Sequence, residues 1–85
     1  MKTSEQESAR LAFVARTIED VSGVPASDVS PEKLLVDELG IDSLSLVEIT
    51  FTLQKAAGVE IPEEEMAGVR SVADLVGLLP DDRSF

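Results

Sequence analysis

Eighty-five residues with 44% hydrophobic content and a formal charge of −10 describe one small domain, too apolar to stay unfolded and too short for a large core. The acidic balance argues against nucleic acid and anionic membranes and favours partners with basic patches. The absence of cysteine removes disulfides, thiolate metal sites and thiol nucleophiles, and no apolar run approaches the roughly 20 residues that span a bilayer.

The opening "MKTSEQESAR" lacks the apolar segment of a secretory signal, so a cytoplasmic monomer is expected. Over residues 5–21, Leu11, Val14, Ile18 and Val21 recur at spacings of three and four, which predicts an amphipathic helix. Gly23 and Pro25 stop it. Phe13 falls off the stripe and is expected to be partly exposed or covered by a loop. Residues 22–42 form a long connection bearing Val24, Val29, Leu34, Leu35, Leu39 and Ile41, too many aliphatic side chains for a solvated linker. It is expected to pack on the core, with Ser30-Pro31 able to open a helical turn.

A second helix is predicted over 43–57, with Leu46, Ile49, Leu53 and Ala57 on one side and Ser45, Glu48, Thr52 and Lys55 on the other. Thr50 and Gln54 sit on or beside the apolar arc, and Gly58 ends the helix. "EIPEEEMAG" predicts a short third helix, with Pro62 in its first turn and Glu63, Glu64 and Glu65 at the positive end of its dipole. Ser71 and Asp74 form a capping-box pattern opening a last helix with Val72, Leu75, Val76 and Leu79 inward and Pro80 as its stop. The expected class is all-α: a small four-helix bundle, three longer helices and one short, with a long packed loop between the first two.

The stretch "ELGIDSLSLVEI", residues 38–49, places Ser43 at the start of the second helix. Catalysis by this serine would need a base within reach and a group to orient it. There is no histidine, Lys33 and Lys55 lie in solvated runs, and no G-x-S-x-G elbow is present. An intrinsic hydrolase is excluded on those grounds. On local residues alone Asp42, Ser43 or Ser45 can each cap the helix, Ser45 and Glu48 matching the S-x-x-E pattern. Asp37 and Glu48 have calcium-loop spacing, but Leu39 and Ile41 stand at ligand positions and Asp42 where the turn needs glycine, so no metal site is expected.

The whole constellation closely resembles the acyl carrier proteins. "LGIDSLSLVEI" is similar to their attachment motif, D-S-L followed by an amphipathic helix bearing a glutamate. "GVPASDV", "LLVDELGIDSL" and "GVEIPEEEMAGVRSVADLV" extend the likeness over nearly the whole chain, and the wording is most like carriers of actinobacterial dissociated systems. The resemblance implies that residues 1–85 form a single acyl carrier domain and that Ser43, following Asp42, receives a covalent 4′-phosphopantetheine arm from a separate phosphopantetheinyl transferase. It implies a carrier and not an enzyme, holding acyl intermediates as thioesters in fatty-acid or polyketide biosynthesis. The arm brings the thiol that the chain lacks.

The resemblance further implies docking through Asp42, Leu44, Glu48, Glu63 and Glu64 to ketosynthase, acyltransferase, reductase and dehydratase enzymes with basic patches. Residues 28–65 contain ten Asp or Glu against Lys33 and Lys55, although a charge run also suits a plain solvated face. Gln54 and Lys55 stand where many bacterial carriers have acids. A cargo pocket between the second and third helices would be lined by Leu46, Ile49, Leu53, Ile61 and Val69, with Thr50 either polarising it or bonding back to its own helix. A peptidyl or aminoacyl carrier, and an unmodified helical interaction module, are the alternatives. The first commonly has glycine or histidine before the serine, where this chain has Ile41-Asp42.

Overall fold

A computed structural model describes the backbone of residues 2–79 and the side chains of residues 9–79. Its elements are α1 (Lys2–Ser22), a 3₁₀ turn (Ala26–Asp28), α2 (Ser43–Ala57), α3 (Glu63–Ala67) and α4 (Val72–Gly77). Among the described residues the fold is all-helical with four helices, as the sequence indicates, but two are long and two are short. α4 stops early because the Leu78 and Leu79 N–H groups bond back only three residues, to the Leu75 and Val76 carbonyls, the tighter winding that closes a helix. Pro80, expected as its stop, lies outside the described residues.

α1 is the hub, packing against α2, α4 and the 3₁₀ turn. Its apolar stripe buries Val14 and Ile18 completely, with Leu11 and Val21 flanking the core. Phe13 is half-buried against the same cluster. Thr17 is buried among these carbons, and its hydroxyl donates to the Phe13 carbonyl at 2.9 Å, so that hydroxyl is satisfied. At the far end the Arg10 guanidinium donates to the Leu79 carbonyl at 3.4 Å, tying the first helix to the chain just beyond the last.

The long connection is a strap pressed onto this core. Val29, Leu35 and Ile41 are buried in it, and Val24 and Leu39 pack at its edge. Leu34 and Val36 are the exceptions and are exposed. The helical turn follows Pro25, at Ala26–Asp28, and not Ser30-Pro31. Ser30-Pro31 instead make a turn closed by the Lys33 N–H on the Ser30 carbonyl at 3.0 Å. The reason lies across the fold: the Pro31 and Lys33 carbonyls accept from the Ala73 and Val72 N–H groups at 2.9 and 3.0 Å, and the Leu35 N–H donates to the Arg70 carbonyl at 2.9 Å. Leu34 and Ser71 form the antiparallel bridge between these segments. Pairing with the α4 start holds this stretch in a bridged conformation instead of a helical one, and its carbonyls satisfy first-turn donors that α4 would otherwise leave unpaired.

α2 lays Ile49 and Leu53 fully into the core, with Leu46 and Ala57 beside them. Gly58 ends it in the left-handed conformation, φ 70°, which only glycine adopts readily. α3 is peripheral: it has no fully buried residue. Pro62 serves as its N-cap instead of its first helical residue. The segment is held by buried Ile61 and by the Gln54 side-chain oxygen, which accepts the Ile61 N–H at 2.8 Å.

The α4 capping box is present in full: the Asp74 N–H donates to the Ser71 hydroxyl at 3.2 Å, and the Asp74 carboxylate accepts from the Ser71 and Arg70 N–H groups at 3.1 and 2.9 Å. Those two backbone bonds, Arg70 first, hold its carboxyl below the ordinary 3.8. A lowered folded-state pKa means the unfolded chain binds the proton more readily, so the contribution is complete above about pH 4 and is lost as pH falls through the folded value. Asp74→Asn should therefore lower the melting temperature at neutral pH, and its gap from the wild type should narrow below about pH 4. Thermal melts at a series of pH values measure this, and a gap constant with pH would exclude the mechanism.

Candidate functional site

Three consecutive features build the start of α2. Gly40, at φ 71°, bends the strap in a conformation open mainly to glycine, and its N–H is held by the Val36 carbonyl at 3.2 Å. Ile41 follows as a buried anchor, its N–H on the Leu35 carbonyl at 3.0 Å. Asp42 then takes extended backbone angles and caps the helix: its carboxylate accepts the Ser45 N–H at 2.8 Å and its carbonyl accepts the Leu46 N–H at 2.9 Å. The Ser45 backbone bond, with a smaller contribution from the Ser45 side chain, holds the Asp42 carboxyl below its ordinary value.

Of the three possible caps, the structure uses Asp42. Ser45 is the residue that donates to it, and the Ser45–Glu48 pairing plays no part in opening the helix. Ser43 is left as the first helical residue, exposed, and none of the hydrogen bonds among the described residues involves its hydroxyl. The N–H groups of Ser43 and Leu44 likewise find no acceptor among the described residues. A hydroxyl free for substitution beside two unpaired donors, at the positive end of a 15-residue helix, suits a phosphodiester anion.

Around Ser43 the first half of α2 gathers Asp42, Leu44 and Glu48, all exposed. Glu63 and Glu64 are exposed on a separate element, the first turn of α3. The structure adds two residues that sequence reasoning missed. Leu44, Val47 and Phe51 are 78%, 63% and 61% exposed, an apolar line at spacings of three and four along the outer surface of a helix whose other side is already buried. The signal was present in the sequence: α2 carries more apolar residues than one stripe can bury. Lys55 lies over the Phe51 ring, 5.8 Å from its centroid, within reach of a cation–π contact. With Gln54 engaged on Ile61, both departures from the acidic pattern late in this helix have partners inside the chain.

The predicted cargo-lining residues take different places in the packing. Ile49 and Leu53 fill the shared core, Leu46 and Val69 flank it, and Ile61 anchors the start of α3. Thr50 is buried, and its hydroxyl donates to the Val47 carbonyl at 2.8 Å, so it is turned back on its own helix. Among the described residues no three acidic side chains are grouped so as to hold a metal ion, and no helix is long and apolar enough to cross a membrane.

Comparison with known proteins settles the class. The family model described as the phosphopantetheine attachment site matches residues 12–79. The chain belongs to this family. The prosthetic group of the family is covalent 4′-phosphopantetheine, and the free hydroxyl and the two unpaired N–H donors at the start of α2 fit it. The meromycolate extension acyl carrier protein of Mycolicibacterium aurum is 47% identical over 79 residues, covering 93% of this chain and 79% of that one. Its counterpart from Mycobacterium tuberculosis H37Rv is 46% identical over 69 residues, and the matched region is 60% of that protein's length. The acyl carrier protein of Thermobifida fusca is 43% identical over 79 residues, 98% of its length.

Because Asp42 caps the helix and Ser43 does not, their substitutions should separate cleanly. Ser43→Ala is expected to change stability by no more than about 0.5 kcal/mol, whereas Asp42→Ala should lower the melting temperature and shorten the helix start. Thermal denaturation and amide exchange at Ser45 measure both effects, and equal losses in the two variants would contradict the cap assignment.

Proposed function

We propose that this chain is an acyl carrier of fatty-acid or polyketide biosynthesis, a single carrier domain of the cytoplasm bearing its phosphopantetheine on Ser43. The observation that carries the reading is the exposed, unbonded Ser43 hydroxyl at the first position of α2, inside the region matched by the attachment family. Bound there, the arm supplies a thiol on which acyl groups are held as thioesters. The chain's own part is to present and orient. Asp42 fixes the helix start, the Ser43 and Leu44 N–H groups face the phosphodiester, and buried Ile41 holds the approach. No described residue hydrogen-bonds Ser43 Oγ so as to take its proton, and this supports activation of the hydroxyl by a separate phosphopantetheinyl transferase using coenzyme A.

The docking face in this reading is the outer surface of α2 beside Ser43, Asp42, Leu44 and Glu48 together with Val47 and Phe51, extended by Glu63 and Glu64 of α3. Acids on its rim draw ketosynthase, acyltransferase, reductase and dehydratase partners with basic patches, acting on encounter rate more than on affinity. The apolar line supplies contact once the surfaces meet. Cargo would shelter between α2 and α3, where burial is worth about 0.8 kcal/mol per methylene. Peripheral α3 can shift there with little loss of core, and Leu46, Ile49, Thr50, Leu53, Ile61 and Val69 are the residues it would uncover.

Incubation with a promiscuous pantetheinyl transferase and coenzyme A should add the mass of one arm to the wild type and nothing to Ser43→Ala, with the peptide containing Ser43 carrying the addition. An unmodified wild type would return the chain to the class of plain helical interaction modules, and a modified Ser43→Ala would move the site. Glu48→Lys should slow the modification at low ionic strength, and the wild-type advantage should shrink as salt shortens the screening length to about 8 Å. Stopped-flow or mass-resolved kinetics at two salt concentrations measure this, and equal low-salt rates would remove Glu48 from the interface.

A further inference from the structure

The strap and the link between α3 and α4 leave a cleft of about 250 Å³ lined by Leu34, Val36, Asp37, Val69 and Arg70. It lies close to Ser43 because the Gly40 N–H is bonded to the Val36 carbonyl, and Gly40 stands three residues before the serine. Three extended residues reach about 10 Å. Leu34 and Val36 are 37% and 55% exposed in a strap whose other aliphatic side chains are buried or half-buried, so folding alone does not explain them. The backbone around the cleft is largely committed: the Leu34 N–H donates to Glu38, the Arg70 N–H to Asp74, and the Arg70 carbonyl accepts from Leu35. Polar recognition there falls to the Asp37 carboxylate, an acceptor, and the Arg70 guanidinium, a donor.

We infer that this cleft seats the pantetheine arm while it carries no cargo, its branched methyl groups against Leu34, Val36 and Val69 and its amides opposite Asp37 and Arg70. The inference rests on attachment at Ser43. The arm has about five residues' worth of chain bonds, roughly 17 Å extended, enough to span the distance and fold into the space. Its alternation of apolar carbon and amide matches the mixed lining, and the cleft is too small for a long acyl chain as well. Tethering gives the arm a local concentration in the millimolar range, so even a weak site is occupied. A second cavity, of about 560 Å³, has Val24, Pro25 and Leu39 in its lining, but Ser27, Asp28, Ser30, Lys33 and Glu38 outnumber them, and a partly apolar arm would displace the hydration of those hydroxyl and charged groups without replacing it.

The test uses the full chain, isotope-labelled and converted from its unmodified form to the form bearing the arm, with conversion verified by mass. Amide and methyl signals of Leu34, Val36, Val69 and Arg70 should shift, and those of Val47, Phe51, Ser27 and Ser30 should stay. Since the chain has no cysteine, the arm's thiol is the only one present, and its reaction with a small aromatic disulfide reports on seating. Val36→Asp, at an exposed position that leaves the core intact, should abolish the cleft shifts and raise thiol reactivity about twofold, the release of a half-filled tethered site. Ala12→Asp, at an exposed position of α1 outside the docking face, should do neither. If the arm attaches at Ser43 but shifts are confined to residues 42–46, or appear around Ser27 and Ser30, or Val36→Asp leaves reactivity unchanged, the seat is overturned and the carrier reading stands. If no arm attaches to Ser43, both fall together.

Discussion

One hydrogen bond organises the functional end of this molecule: the Asp42 carboxylate accepting the Ser45 N–H at 2.8 Å. A helix must have its first donors satisfied, and short hydroxyl and carboxylate side chains compete for that task. Because the aspartate takes it, the adjacent serine is excused from it. Its hydroxyl stays exposed, on a backbone held still from both sides by a cap and by buried Ile41. The same aspartate therefore serves two ends, stability at the helix start and availability of the residue after it. Its lowered pKa keeps the cap charged throughout the neutral range.

The strap is the second organising device. It has only one 3₁₀ turn, yet Val29, Leu35 and Ile41 are buried within the helical core. Its carbonyls also complete the first turn of α4, while Ser71 and Asp74 complete the rest. A segment that both fills the core and caps a helix cannot move freely, and its end is where Ser43 begins. α3 stands in contrast, attached through Ile61 and the Gln54 side chain with none of its own residues fully buried. In the proposed reading, tight anchoring is concentrated where the arm would be attached, and loose anchoring where an acyl chain would need room. The low-stability parts of a fold are where functional motion is drawn from.

The surface of α2 joins charge to exposed apolar area. Glu48 and Asp42 lie at its serine end, Leu44, Val47 and Phe51 run along it, and Lys55 covers the last of these. Under the proposed function a transient partner would gain rate from the acids and contact from the carbons, without the large dry interface that would make release slow.

Much of this was legible in the residues. Spacings of three and four placed α1 and α2, and the bounds of α2 agree with the observed Ser43–Ala57. Gly23, Gly58 and the Ser71–Asp74 box marked ends that local chemistry alone decides. The D-S-L motif with its flanking segments pointed to the family, because those residue types recur together for one task. What the sequence could not decide were choices between local options of similar energy. Asp42, Ser43 and Ser45 were each able to cap, and Pro31 was read as able to open a helical turn while Pro25 was read only as a stop. Tertiary structure chose: pairing with the start of α4 engages the Pro31 and Lys33 carbonyls and leaves the helical turn to Ala26–Asp28. The outward line of Leu44, Val47 and Phe51, the inward turn of the Thr50 hydroxyl and the cleft at Val36 and Val69 belong to the same category. Each depends on which surfaces α1 and the strap have already covered, and that is a property of the packed chain and not of any local stretch of it.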